Sequence, residues 1–351
     1  MAKARLFDLP ETKGFFQVKG IVTGTDKDDF YVDKKTKTGK DFRAVKFGIE
    51  YLKKQTAYVS MNGMPQETVY FSKQTKKGEP KVPTEKVKWS ERFSFNKEGY
   101  RIIGSNIGVT KKVDAEGKTV NDKKVLVDFD AAKEIGDNLH DGQSVFVKGK
   151  IEFGSYESND TVKRTTKFIP NQVSLCGDID FDDEKFEASH DFTQPIVFMG
   201  IEKEMNGEAE TGRFVISAKI VTYSTIEDAE FIITDSKLAS QLKKNLKPYN
   251  AIEVWGKLTT TESVEDVEDD DSWGESNDMK KPNLPTKREL VISGASKSSL
   301  DTETYIKSLV EEALIKITNA KNAKGDYADD AKGEWGSASA DLSGNDEDEA
   351  W

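Results

Sequence analysis

The chain has 351 residues and a formal net charge of −11, with 36% hydrophobic and 33% charged residues. One Cys and two His leave no intrachain disulfide, no structural zinc site and little for nucleophilic catalysis, and there is neither a phosphate-binding Gly-rich loop with Lys-Ser/Thr nor an apolar run long enough to span a membrane. The expectation is a soluble, cytoplasmic, non-enzymatic protein of two or three domains, with no cofactor and no metal.

An evenly spread negative charge would argue against a nucleic-acid ligand, but the charge is not even. Residues 1–176 carry 33 basic and 24 acidic side chains, and residues 177–351 carry 19 and 39. That asymmetry predicts a binding half and a repelling or partner-facing half.

Residues 1–14 read as a polar lead-in. FFQVKGIVTG (15–24) is a strand closed by Gly24, and 26–41 is a charged turn region. FRAVKFGIEY (42–51) alternates, with Val45, Phe47, Ile49 and Tyr51 on one face, as a half-buried strand does. Residues 56–60 and 67–71 read as the arms of a hairpin.

The stretch Lys73–Arg101 follows, with nine Lys or Arg and four Glu. Its second half interleaves Trp89, Phe93, Phe95 and Tyr100 with Lys86, Lys88, Arg92, Lys97 and Arg101. A single strand of nucleic acid offers a phosphate at every nucleotide and an unpaired ring at every base. Cations track the first, and flat side chains stack on the second. The spacing also fits a half-buried hairpin with a Lys-rich outer face, in which Phe93 and Phe95 share one side.

Two strands (100–112 and 123–130), a short helix (130–139) and strands 142–158 and 161–176 close the first unit. Lys148 and Lys150 point outward, and Cys176 is a buried thiol at a strand end. GDIDFDDEKFEASHDF (177–192) holds seven carboxylates and one Lys, the composition of an exposed, self-repelling linker. The second unit has strands at 195–204, 214–223 and 229–234, a helix at 235–246 capped by Asp235 or Ser236, and strands at 251–260 and 287–294. Residues 298–318 form an amphipathic helix capped by Asp301. Its stripe of Tyr305, Ile306, Leu309, Val310, Ala313, Leu314 and Ile317 is expected to pack on its own domain, with a dimer contact as the alternative. Residues 325–351 are acidic and poor in aliphatics, and are expected to be disordered.

One unit occurs twice. NLHDGQSVFVKGKI (138–151) aligns without gaps to NLKPYNAIEVWGKL (245–258), and VKGIV (18–22) aligns to FMGIE (198–202) at the first strand. Three strands, a helix and two strands is the order of the OB-fold, a small Greek-key barrel that binds oligonucleotides or sugars. The expected architecture is therefore mainly β, with two tandem OB-like barrels. The division is 15–176 for the elaborated basic domain, 177–192 for the linker, 193–320 for the second barrel with its helix, and 325–351 for the tail. The first copy is about 70 residues longer between its first and fourth strands, and the excess includes the basic–aromatic stretch. In the second, the loop between the last two strands carries the acidic run Glu262–Asp271, which repels a polyanion.

The tail ends in Asp346, Glu347, Asp348 and Glu349, then Ala350 and Trp351. A basic OB core, an acidic linker and an acidic tail with a terminal aromatic resemble single-stranded DNA-binding proteins, most of all those of tailed phages. The Trp at the end stands where Phe is the family habit. The resemblance implies coating of single strands in replication, recombination and repair. It also implies recruitment of a polymerase, helicase or recombinase through the tail. Stacking then falls to Trp89, Phe93 and Tyr100, with Tyr58 and Tyr70 secondary. Phosphate contacts fall to Lys46, Lys73, Lys76, Lys77, Lys86, Lys88, Arg92 and Arg101. The composition also admits an RNA-binding OB protein, or an acidic DNA mimic directed at a host DNA-binding enzyme.

Overall fold

The alternation along 42–51 becomes a strand whose inward residues Val45, Phe47, Ile49 and Tyr51 are each 1% exposed or less. Around it the chain closes a barrel, and then repeats the operation. The structure is a computed structural model that describes residues 5–73, 82–158, 161–262 and 286–325.

The first barrel opens with β1 (Gly14–Thr23), β2 (Tyr31–Lys35), β3 (Asp41–Leu52) and β4 (Gln55–Gly63). An insertion follows, with β5 (Thr68–Lys73), β6 (Glu85–Lys88), β7 (Tyr100–Ile102), β8 (Ser105–Gly108), β9 (Lys111–Val113), β10 (Thr119–Asn121) and β11 (Lys124–Leu126). Then come α1 (Asp128–Asn138), β12 (Ser144–Ser158) and β13 (Thr161–Leu175). β1 pairs with β3, β3 with β4, β13 with β12 and β12 with β1, all antiparallel, and β4 meets β13 in parallel at Val59 and Phe168. That ring is the OB-fold closure.

The second barrel comprises β14 (His190–Asn206), β15 (Ala209–Val221), β16 (Ile226–Ile233), α2 (Ser236–Asn245), β17 (Ala251–Glu262) and β18 (Thr286–Ala295), with α3 (Lys307–Gly325) after it. Its ring repeats the first: β14–β15, β15–β16, β18–β17 and β17–β14 antiparallel, with β16 parallel to β18 at Ile232 and Val291. The fold is two OB barrels, the first elaborated, with a C-terminal helix.

The sequence repeat has a physical cause at three of its identical positions. Asn138 and Asn245 both end their helices by donating a side-chain N–H to the carbonyl four residues back, at 2.9 and 2.7 Å. Leu139 and Leu246 turn the chain to extended geometry and are buried. Gly149 and Gly256 each sit at a register shift, where an added Cβ would lie 2.0 Å from the Ile169 carbonyl and 1.9 Å from that of Val291. Only glycine fits such an approach. These glycines also correct the first-strand alignment. Gly149 faces Phe16 and Gly256 faces Phe192, so residue 16 corresponds to 192 and the match of 18–22 to 198–202 is four residues out of register. An even offset preserves the inward phase, which is why the strand itself is read correctly.

The barrels are joined by hydrogen bonds. β1 pairs antiparallel with β14, Phe15–Val18 against His190–Thr193, and one apolar core runs through both rings. The Tyr51 hydroxyl donates to Thr260 Oγ1 (3.2 Å), which donates to the Thr56 carbonyl (3.1 Å), so β17 is tied to β3 and β4. Within 177–192, residues 190–192 already belong to β14.

Several local expectations are revised. Residues 56–60 and 67–71 do not form a hairpin: β4 pairs with β3 across a turn at Lys53–Lys54, and β5 joins a separate sheet. The charged region 26–41 contains β2, paired with β3. The long strands at 100–112 and 123–130 are broken into short pieces, and the turn between them contributes β10, paired with β9. Phe7 and Leu9 of the lead-in are buried against Tyr305, Val310, Ala313 and Ile317 of the C-terminal segment, and Thr12 bonds Val221. The final helix starts at Lys307, because Asp301 accepts from the N–H groups of Glu303 and Thr304 in a tight turn outside it. Ile306 and Leu309 are exposed. Asp235 caps α2 through the N–H groups of Lys237 and Leu238. Cys176 is half-buried, and burial raises its thiol pKa.

Candidate nucleic-acid interface

The insertion is rooted where β4 ends. A Cβ on Gly63 would lie 2.3 Å from the Phe129 amide nitrogen, so the start of α1 abuts the strand end directly. From that root β6, β5 and β7 form a three-stranded antiparallel sheet in that order. Residues directly opposite in such a sheet share a face. Val69 faces Val87, and Phe71 faces Ile102; with Trp89, Phe95 and Tyr100 they form a small apolar cluster. The other face pairs Tyr70 with Lys86, Thr68 with Lys88 and Ser72 with Arg101. Lys86, Lys88 and Arg101 are exposed, and Tyr70 is 46% exposed among them. This is a cationic surface with one ring at its centre.

The other rings are placed differently from the sequence reading. Trp89 stands on a 3-10 turn, Trp89–Glu91, half-buried and edge-on to Phe129 at 5.9 Å. The Arg92 guanidinium lies 4.1 Å from the Trp89 ring and 4.2 Å from that of Phe93. Arg92 is a bidentate partner of Asp130, at 2.7 and 3.0 Å, and both side chains are nearly buried. Its charge therefore fixes the insertion to α1. Phe93 is 69% exposed, whereas Phe95 packs on Phe71 at 4.5 Å. The two do not share a face, because the segment is a turn and not a strand. Tyr100 is half-buried beneath the Lys97 ammonium.

A second patch lies on the outer face of β3 and β4. Lys46 stands there but is ion-paired with Asp29 at 3.2 Å. Tyr58, opposite Gly48, is covered by the Arg288 guanidinium at 4.6 Å. Arg288 comes from β18 of the other barrel, and no linear pattern links it to Tyr58. Lys73 is exposed at the end of β5. Lys76, Lys77 and the tail residues Asp346, Glu347, Asp348, Glu349 and Trp351 lie outside the described residues, as does most of the acidic run that begins at Glu262. Among the described residues no group of three His, Cys, Asp or Glu side chains could hold a metal, and no helix is long and apolar enough to cross a membrane.

Beside the Tyr70 face, between β5 and the start of α1, lies a pocket of about 400 Å³ lined by Met64, Trp89, Phe129, Asp128 and Tyr70 among others. Asp128 accepts from the Ser105 hydroxyl at 3.0 Å, and desolvation raises its pKa. The sequence reading missed Asp128, whose only linear mark is its place at a helix start.

Paired OB barrels with a cationic, Tyr-centred sheet grafted on the first define the class of the protein. It belongs to the YorF family, whose family model matches residues 79–327. No curated protein sequence matches the chain. Among solved structures it is similar to a deletion mutant of the single-stranded DNA binding protein from Thermus aquaticus. The match has 10% identity and a TM-score of 0.40, and covers 85% of this chain and 98% of that one. The wild-type Thermus aquaticus protein matches at 10% identity and a TM-score of 0.38, covering 84% and 94%.

Proposed function

We propose that the protein binds single-stranded DNA with little regard to sequence, in the manner of the tailed-phage replication proteins its tail resembles. The observation that carries this reading is the outer face of the insertion sheet, where Lys86, Lys88 and Arg101 surround the exposed ring of Tyr70. Cations there neutralise phosphates, and the ring offers a base a stacking surface. The Tyr58–Arg288 pair on the barrel face offers a second flat, cationic contact. Coating of exposed strands in replication, recombination and repair is the corresponding role. The acidic end, closing on Asp346–Glu349 and Trp351, serves as a ligand for polymerase, helicase or recombination proteins and competes with DNA for the basic face.

The test is a salt titration of labelled oligo-dT binding to the full chain, beside a Lys86→Ala, Lys88→Ala, Arg101→Ala triple variant. Each lost phosphate contact lowers the log–log salt slope by about 0.7, so the triple variant should fall by about 2. Absence of oligo-dT binding at low salt would overturn the reading, and oligo-U outcompeting oligo-dT would replace DNA with RNA.

A further inference from the structure

We propose that the pocket beside the Tyr70 face takes one nucleobase of the bound strand, and that it favours a base carrying an amino group. This deepens the single-strand reading and rests on it. Tyr70 belongs to both features: it is the ring at the centre of the cationic face and part of the pocket lining. A strand whose phosphates lie along Lys86, Lys88 and Arg101 therefore passes the pocket mouth with its bases unpaired. At about 400 Å³ the pocket lies in the range of small-ligand sites.

Its lining is chemically divided. Met64, Trp89 and Phe129 supply apolar and aromatic surface, matched to the faces of a planar base. The polar side is led by Asp128. One oxygen of its carboxylate takes the Ser105 hydroxyl, which leaves the other oxygen free to accept. Gln66 also lines the pocket. An ionised carboxylate can only accept. It therefore selects a base that presents an N–H₂ group, as cytosine does through N4 and adenine through N6, and disfavours thymine, which presents O4 at the corresponding edge.

The test uses the full chain and three strands of about 30 nucleotides, a length that covers the site of one or more OB barrels. One strand is uniform dT, one carries a single central dC, and one is uniform dC. Each dC adds one favoured register among those a sliding binder samples, so the gain should rise roughly in proportion to the number of dC residues, from a small gain with one to at least about fivefold for a strand of uniform dC over uniform dT. Asp128→Asn keeps an acceptor for Ser105 and adds a donor facing the pocket, so it should shrink the dC advantage to within about twofold. Equal affinity of the wild-type chain for uniform dT and uniform dC overturns the pocket and leaves the single-strand reading standing; this comparison depends on no variant folding. A gain that multiplies with each added dC also overturns it, because that marks several base contacts spread along the strand. Failure to bind any of the strands overturns both readings.

Discussion

Tyr70 and Trp89 show what a side chain's neighbours do to its meaning. Both are large rings in a cationic stretch, and by composition Trp89 is the stronger stacking residue. Antiparallel register puts Tyr70 opposite Lys86 on the open face. Trp89, one residue past the end of β6, turns back toward Phe129 and the small apolar cluster. Tyr70→Ala should lose about 1–3 kcal/mol of strand binding at an unchanged melting temperature, measured by fluorescence titration and thermal denaturation. Trp89→Ala should also lower stability, by about 2 kcal/mol, read from chemical denaturation, because it removes packing from a cluster with few members. Charge followed the same logic. Lys86, Lys88 and Arg101 are legible as exposed cations because they alternate with buried or half-buried apolar residues. Arg92 is not, because its partner Asp130 lies 38 positions away on a different element.

At the scale of elements, the repeat was the most informative feature of the sequence, because it marks geometry that tolerates one solution. The shared glycine lets a strand bulge against a carbonyl, and the shared Asn and Leu end a helix and turn into the next strand. Gly149→Ala and Gly256→Ala should each destabilise by about 1–3 kcal/mol in denaturant titrations, with the two effects similar because the two sites are equivalent. The insertion was legible as an excess of residues but not as a fold. Its short strands carry too few alternations to show a period, and β5 could not be told from the second arm of a hairpin. His190 marks the seam between the barrels. Its ring is buried, stacks on Tyr51 at 4.7 Å and bonds the Leu258 carbonyl through Nδ1 at 2.6 Å. Desolvation lowers its pKa below the ordinary 6.5. On acidification the unfolded chain takes up a proton that the folded chain refuses. Stability should therefore fall as pH drops from 6.5 toward the lowered native value, and be regained as pH rises. His190→Gln should flatten the dependence of denaturation midpoint on pH in that window.

Across the whole molecule, charge is divided between halves that are structurally fused. A cut at residue 176 would separate Phe7 and Leu9 from α3, and β1 from β14, so neither half would keep its own surface. Variants of the full chain are the cleaner probes. Removal of residues 344–351 should leave strand affinity unchanged or raised and abolish partner capture, compared by the same titration with and without the truncation. A drop in affinity would contradict competition between tail and strand.

The β1–β14 pairing has a geometric consequence for any polymer that touches both rings. Two barrels on a slack tether would let their footprints drift apart or together with ionic strength. Here the spacing is set by backbone hydrogen bonds between Phe15–Val18 and His190–Thr193, as a welded joint sets the angle of two plates. For a polymer that lay on both rings, the angle between its two contacts would be a property of the fold, fixed before it arrived.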